Sequence, residues 1–285
     1  MARPKQSSNA DTEAAESRTE QARPVKAPSK PDGERRVRLK IRRQDAPDRP
    51  ETRRWEEFEI AWQPRMMVSA ALKELDLEPV TRDGRKVAPI AWEAGCLEET
   101  CGACTMLIGG RVAQACSMFV DELSPRGKPI VLEPLRKFPL VRDLVVDRAR
   151  AFEALSRVHA WVDFDLDRPS APTQAQAPSE QRAEYALGRC TSCAACLEAC
   201  PQWSEKRDFV GAAALAQVRR LNSNPVGGLG QRERLERVMG PGGVADCGKA
   251  QNCVEVCPMQ IPLVDGIQGV AREATKRFLL GWLFD

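Results

Sequence analysis

The spacing of eleven cysteines constrains this 285-residue chain more than any other feature of its sequence. The cysteines fall into three groups, within residues 96–116, 190–200 and 247–257. An odd number excludes complete internal disulfide pairing. In a reducing compartment, clustered cysteines more often hold metal than form disulfides. The sequence therefore predicts metal centres in loops that bring several thiolates together.

The first group has the spacing Cys96-x4-Cys101-x2-Cys104, followed after eleven further residues by Cys116. This is the plant-type arrangement for a [2Fe–2S] cluster, in which the fourth thiolate comes from a more distant segment. We expect that segment to be the far strand of a hairpin.

Two glycines of this group, Gly95 and Gly102, are expected to let the backbone approach the cluster without a Cβ clash. A structural zinc site with four cysteines is the alternative interpretation, although zinc sites favour paired Cys-x2-Cys segments. The two alternatives differ in colour, since iron–sulfur clusters are brown and zinc is colourless.

The second and third groups are two ferredoxin-type runs of equal spacing. The first run, residues 190–201, reads Cys190-x2-Cys193-x2-Cys196-x3-Cys200-Pro201. The second run, residues 247–258, reads Cys247-x2-Ala250-x2-Cys253-x3-Cys257-Pro258. In two-cluster ferredoxins the fourth cysteine of such a run ligates the other cluster.

This crossed rule assigns four thiolates to a [4Fe–4S] cluster: Cys190, Cys193, Cys196 and Cys257. The other centre receives Cys200, Cys247 and Cys253, while Ala250 leaves one corner without a protein ligand. Three thiolates suit a [3Fe–4S] cluster. A four-iron cluster with a non-protein ligand at the open corner, where a substrate could bind, is the alternative. The ligand sets of four, four and three use all eleven cysteines.

Composition narrows the class of protein further. A net charge of +3 gives no strongly basic field of the kind that binds nucleic acid. The single histidine, His159, excludes most histidine-based zinc sites and a two-histidine Rieske centre. No apolar stretch approaches the ~20 residues that span a bilayer, so membrane association is expected to need a partner. The N-terminal sequence lacks a secretory signal, which predicts a cytoplasmic location.

The chain divides into three predicted segments. Residues 1–34 are predicted to be a disordered extension, because they offer almost nothing apolar to bury. Residues 35–145 are predicted to be a small α+β domain, with strands around 37–41, 58–62 and 129–132, a helix at 66–76 and a hairpin around 109–110. Residues 146–285 are predicted to be helical, with strand signals ending at 144 and helices at 181–189, 208–222, 231–239 and 263–280.

The order of these cysteine groups resembles the iron–sulfur subunits of succinate dehydrogenases and fumarate reductases. The segments Leu144-Val-Val-Asp-Arg and Asp208-Phe-Val-Gly-Ala-Ala are similar to family segments, and the resemblance covers about residues 35–285. It implies a β-grasp plant-type ferredoxin domain and a helical bacterial-type ferredoxin domain. It also implies electron transfer from FAD on a flavoprotein subunit, through [2Fe–2S], [4Fe–4S] and [3Fe–4S] clusters, to a quinone in a membrane anchor. Succinate oxidation takes place on the flavoprotein, so this chain is expected to have no catalytic residue.

Two segments resemble the branch with a single dihaem cytochrome b anchor and menaquinone as acceptor: Asp246-Cys-Gly-Lys-Ala-Gln-Asn-Cys253 and Asn222-x-Asn-Pro-x-Gly-Gly. Ubiquinone-reducing members have a histidine where this chain has Gly248, and a pair of tryptophans where it has only Trp203. A quinone site beside the third cluster is therefore in doubt, and Trp203 is expected either to contact the anchor or to pack. The apolar run at residues 277–284 is expected to dock on the anchor.

The resemblance places the chain on the cytoplasmic face of the bacterial plasma membrane, held there by its partners. Four other interpretations stay open at this point. The same parts could run in reverse as a fumarate reductase or serve a flavoprotein that oxidises a different acid. The chain could be a soluble ferredoxin-like carrier for another dehydrogenase. It could also be a zinc-stabilised binding scaffold.

Overall fold

A five-stranded mixed sheet forms the N-terminal part of the chain, in a computed structural model that describes residues 35–124, 127–162 and 175–281. The strand order is β2-β1-β5-β3-β4, with β1 and β5 parallel and the other neighbours antiparallel. The strands are β1 Arg36–Arg43, β2 Arg54–Ala61, β3 Thr105–Ile108, β4 Arg111–Gln114 and β5 Ile130–Glu133. Two helices, α1 Val68–Leu77 and α2 Val120–Leu123, and a short 3₁₀ helix, Pro50–Thr52, complete this part.

Buried and partly exposed side chains alternate along β1 and β2, so the buried side chains all lie on one face of the sheet. Leu39 and Ile41 on β1 are fully buried, and Phe58 on β2 lies on the same face opposite Leu39. The helix α1 covers this face with Leu72 and Leu75, as its helical spacing requires. Burial of each large apolar side chain contributes roughly 1.5–3 kcal/mol to stability.

A buried charge network continues the same face at the end of β1. Arg43 forms ion pairs of 2.9 Å with Glu56 on β2 and with Asp143, and all three side chains are at most 3% exposed. Asp143 also accepts the Ala91 backbone N–H at 3.0 Å. The network therefore links the sheet to the segment that leads into Cys96.

The next segment contains a strand pair that the sequence did not predict. Strands β6 Leu140–Arg142 and β7 Val145–Val146 pair antiparallel. The helix α3, Ala149–Arg157, begins only after them. The prediction that strand signals end at 144 was wrong by two residues, because Val145 and Val146 fit the helical period equally well. The proposed domain boundary near 145 stays a prediction.

The C-terminal part is helical. Its further helices are α4 Pro178–Gly188, α5 Ala195–Ala199, α6 Gly211–Ser223, α7 Gln231–Met239, α8 Asn252–Glu255 and α9 Leu263–Leu280, with 3₁₀ helices at Gly227–Gly230 and Val244–Asp246. The buried face of α6 packs against α4 and α9. The four long helices predicted between residues 181 and 280 begin and end within three residues of the observed ones. Within the described residues, no helix combines the length and apolar character that a membrane span requires.

Trp203 packs inside the helical part rather than facing outwards. Its side chain is 1% exposed, its ring lies 4.7 Å from that of Phe138, and the Arg150 guanidinium lies 4.4 Å from its centroid. Of the two expectations for Trp203, the structure favours packing. Residues 1–34 and 282–285, for which we predicted an extension and part of a docking run, lie outside the described residues.

Candidate metal centres

The first cysteine group lies in the long loop before β3 and just after β4. Cys96, Cys101 and Cys104 belong to the loop, and Cys116 follows β4 by two residues. The predicted hairpin is present as β3–β4 and brings the fourth thiol back beside the other three, although Cys116 lies just after the far strand and not on it. Cys104 and Cys116 are buried, whereas Cys101 is exposed at the rim.

Backbone N–H groups surround the thiols of this loop. Cys96 Sγ accepts N–H groups of Glu98 and Thr100, each at 3.3 Å, and Cys116 Sγ accepts that of Glu99 at 3.3 Å. Leu97 and Glu99 adopt positive φ angles near 60°, which turns successive N–H groups towards one side. Such donors stabilise negatively charged sulfur and tune the potential of a bound cluster.

The first and the last cysteine of this group differ in the pKa of their thiols. Hydrogen bonds from the Thr100 side chain and the Glu98 backbone lower the pKa of Cys96 to about 6. Burial and, after it, the neighbouring Cys104 raise the pKa of Cys116 to about 12. Cys96 is thus ready to bind metal as a thiolate, whereas Cys116 must lose its proton as metal binds.

The second centre is a pocket with four thiols in its wall. Cys190, Cys193, Cys196 and Cys257 line a pocket with about 360 Å³ of empty space, whose remaining walls are mainly small or apolar. Burial raises the pKa of Cys196, and the nearby thiols Cys193, Cys190, Cys253 and Cys257 act in the same direction. The structure thus brings together three cysteines of the first run and the last cysteine of the second run.

The third centre contains the remaining three cysteines. Burial raises the pKa of Cys253, and the nearby Cys200 and Cys247 thiols raise it further. The Asn252 side chain, next to Cys253, donates to the Ala199 carbonyl, next to Cys200, at 3.1 Å. Ala250 is exposed at the corner where the first run has Cys193.

A groove adjoins the third centre. It contains about 890 Å³ of empty space between the Cys247–Cys253 segment and α9, and Val264, Ile267 and Ala271 supply its apolar side. Phe278, nearer the end of α9, is 79% exposed. The sequence predicted an apolar docking surface at residues 277–284, but it did not predict this groove.

The donor sets fit the predicted clusters. Thiols that raise each other's pKa are like charges brought together, an arrangement that bound iron offsets. Within the described ranges, no three Cys, His, Asp or Glu side chains converge as the ligands of a single ion would. The assignment of each cysteine to a cluster stays a prediction.

The two glycines of the first group approach different atoms. A Cβ on Gly95 would lie 2.9 Å from Cys101 Sγ, so this glycine does let the backbone approach a thiol, as predicted. A Cβ on Gly102 would instead lie 2.6 Å from the Cβ of Cys193, in the first run. The close approach at Gly102 is therefore between two cysteine loops.

Two charged residues at these loops were missed by the sequence reasoning. Glu198 on α5 is 9% exposed and accepts the backbone N–H groups of Arg136 and Lys137 at 3.2 and 3.1 Å. Arg148 donates to the Gly102 and Ala103 carbonyls. Arg148 ends the segment Leu144-Val-Val-Asp-Arg noted above, but the partners of both residues lie 45 to 62 residues away and could not be predicted from the sequence.

Comparison with protein-family models separates the first cysteine group from the two ferredoxin-type runs. A model described as a 2Fe-2S iron-sulfur cluster binding domain matches residues 38–153. A model described as a 4Fe-4S dicluster domain matches residues 186–261. These matches favour iron–sulfur clusters over the zinc alternative.

Named relatives match over most of the chain. The succinate dehydrogenase iron-sulfur subunit of Bacillus subtilis is 43% identical over 237 residues, which cover 83% of this chain and 92% of that protein. The fumarate reductase iron-sulfur subunit of Wolinella succinogenes is 31% identical over 180 residues, covering 62% and 74%. A chain of the Mycobacterium smegmatis Sdh1 complex in the apo form superposes with a TM-score of 0.72 at 20% identity, covering 86% of this chain and 97% of that one. At that identity the superposition supports the fold alone.

Proposed function

The chain belongs to the family of succinate dehydrogenase and fumarate reductase iron–sulfur subunits, and on this premise we propose its ligand sets, partners and place in the complex. Its function is electron transfer. Bound clusters supply reversible one-electron storage. The residues of the chain supply thiolates, N–H donors, burial and fixed spacing.

The proposed ligand sets follow the crossed scheme. The [2Fe–2S] cluster takes Cys96, Cys101, Cys104 and Cys116; the [4Fe–4S] cluster takes Cys190, Cys193, Cys196 and Cys257; the [3Fe–4S] cluster takes Cys200, Cys247 and Cys253. The observation that carries this proposal is the pocket whose wall contains Cys257 together with three cysteines of the first run. An uncrossed scheme would require Cys200 in that position.

We propose two protein partners. A flavoprotein with FAD delivers electrons from succinate, and a membrane-anchor cytochrome receives them, which places the chain on the cytoplasmic face of the bacterial plasma membrane. The names of the relatives support membership in such a complex. The groove beside the third centre and the exposed Phe278 support docking of the anchor there.

A dihaem anchor that uses menaquinone is the proposed subtype. Its support is the resemblance of the Asp246–Cys253 segment to that branch, with Gly248 in place of histidine. Burial of Trp203 adds support, because its side chain is not available to a quinone at the surface. The haem content of the purified complex and its rates with menaquinone and ubiquinone analogues test this subtype. One haem, or a preference for ubiquinone, would contradict it.

Fumarate reduction is the second candidate, since relatives at 28–31% identity bear that name. The 43% identical relative favours succinate oxidation. Comparison of the two rates in native membranes, with menaquinone and with menaquinol, decides the direction.

The first test is anaerobic purification from native membranes, followed by EPR spectroscopy and by iron and sulfide analysis. We expect a [3Fe–4S] signal in the oxidised protein, and [2Fe–2S] and [4Fe–4S] signals on stepwise reduction. Co-purification of flavin and haem is the expected sign of the two partners. A colourless zinc protein, or a stable chain without partners, would contradict the proposal.

A further inference from the structure

The loops of the first two centres are in direct contact. Gly102, between Cys101 and Cys104, has a φ of +72°, and a Cβ on it would lie 2.6 Å from the Cβ and 2.8 Å from the Cα of Cys193. No side chain fits between these backbones. The spacing of the two centres therefore depends on whatever holds this contact in place.

Arg148 holds the contact from one side. Its Nη1 donates to the Gly102 carbonyl at 3.1 Å, and its Nη2 donates to the Ala103 carbonyl at 2.7 Å. Nη2 also lies 3.0 Å from a Glu93 carboxylate oxygen, and the Arg148 side chain is only 14% exposed. The planar guanidinium thus fixes two successive carbonyls of the first cysteine loop.

The third donor position of Arg148 is unused. Its Nε is buried and has no hydrogen-bond partner among the residues that the structure describes. Arg148 binds the carbonyl of Gly102, and the backbone of Gly102 lies directly against that of Cys193. The guanidinium is therefore anchored at the point where the two cysteine loops meet.

We propose that Arg148 is a positioning residue that holds the [2Fe–2S] loop against the [4Fe–4S] loop, and whose charge favours the reduced state of both clusters. The proposal rests on the proposed function, because it takes both loops to hold their assigned clusters. A fixed positive charge in a partly buried site stabilises the more negative redox state.

The test uses Arg148→Gln and Arg148→Lys in the full chain, purified anaerobically with its complex. Arg142→Gln is the matched control. Arg142 lies six residues earlier in the same segment, its side chain is 45% exposed, and its Nε lies 3.7 Å from an Asp143 carboxylate oxygen. EPR-monitored redox titration measures the midpoint potential of each cluster. Amide hydrogen exchange of residues 95–104 measures how firmly the loop is held.

For Arg148→Gln we expect reduction of both clusters to become about tenfold less favourable, which is about 59 mV for a one-electron couple. Arg148→Lys keeps the charge and is expected to shift each potential by less than half as much. Both variants are expected to exchange amides in residues 95–104 faster than Arg142→Gln. The [3Fe–4S] potential, measured in the same samples, is expected to stay unchanged.

Unshifted [2Fe–2S] and [4Fe–4S] potentials in Arg148→Gln would overturn the electrostatic part, as would an equal shift in Arg148→Lys. Unchanged exchange in both variants would overturn the positioning part. If Arg148→Gln does not assemble, near-normal potentials in Arg148→Lys support the proposal and strongly lowered ones overturn it. Absence of the three cluster signals in the unmodified complex would instead mean that the proposed function has failed.

Discussion

The two ferredoxin-type runs have the same local backbone but very different surroundings. In the first run, Ser192 and Ala194 have φ angles of 53° and 68°. At the equivalent positions of the second run, Lys249 and Gln251 have φ angles of 55° and 64°. A short helix follows in each, α5 and α8 respectively. The loop geometry is therefore shared although most residues between the cysteines differ.

Burial separates the two runs. Residues 194–198 of the first run are all buried, beneath β4 and the Gly102 loop, whereas residues 250–252 of the second run are all exposed. One run is thus surrounded by its own chain, and the other is left for solvent or a partner. Because Ala250 lies between residues with the same φ angles as those beside Cys193, the missing ligand is a difference of side chain and not of backbone.

The largest expected effect is the loss of one cluster when the last cysteine of either run is replaced. Cys257→Ser is expected to abolish the [4Fe–4S] EPR signal and retain the [3Fe–4S] signal, because Cys257 lines the pocket of the first run. Cys200→Ser is expected to do the reverse. EPR spectra of the two variants, oxidised and reduced, check both. If each variant lost the cluster of its own run, the crossed grouping would be wrong.

Conversion of the third centre is the next largest effect. Ala250→Cys supplies the fourth thiolate at a position whose backbone already matches that of Cys193. We expect the [3Fe–4S] signal of the oxidised protein to disappear and a second [4Fe–4S] signal to appear on reduction. Ala250→Ser is the control for size and polarity. Retention of the three-iron signal in the cysteine variant would show that the equal backbone angles do not suffice for ligation.

These first two predictions rest on features that the sequence carries by itself. Cysteine spacing predicted the grouping, because ligand spacing is local and a cluster tolerates few alternatives. Hydrophobic period predicted the long helices for the same reason. Spacing could not show that Gly102 lies against Cys193, or that Trp203 is buried between Phe138 and Arg150. Those contacts join segments far apart in the chain, and nothing in either segment alone specifies its partner.

A smaller effect tests how tightly the first run is packed. Gly102→Ala places a Cβ 2.6 Å from the Cβ of Cys193 and at a φ of +72°. Left-handed backbone costs about 1–2 kcal/mol and overpacking about 1–3 kcal/mol, so roughly 2–5 kcal/mol of local stability should be lost. Native-state hydrogen exchange of the first run measures this loss without requiring a reversible two-state transition.

Gly248→Ala in the second run is the control for that substitution. The atoms nearest to its Cβ would belong to the flexible Gln202 side chain, which can move aside. We expect a change within about 0.5 kcal/mol, as for an ordinary surface position. Equal losses for the two variants would mean that the first run is not more constrained than the second.

The smallest expected effect comes from replacing a glutamate that is present at the same position in both runs. Glu198 and Glu255 occupy the same position, two residues after Cys196 and Cys253. Glu198 accepts the N–H groups of Arg136 and Lys137, whereas Glu255 is exposed. Glu198→Gln keeps one acceptor oxygen and points an amide N–H at the other backbone N–H. One buried donor is then left unpaired, at a cost of about 1–3 kcal/mol.

The expected result is faster amide exchange at residues 136 and 137 by roughly tenfold or more, since each 1.4 kcal/mol of opening free energy is a factor of about ten. Glu255→Gln should leave those amides unchanged and serves as the matched control. An identical side chain at an identical backbone position would then differ in effect only because its surroundings differ. If Glu198→Gln exchanged no faster than Glu255→Gln, burial would not be what distinguishes the two runs. The cysteine at position 193 and the alanine at position 250 would then remain their main difference.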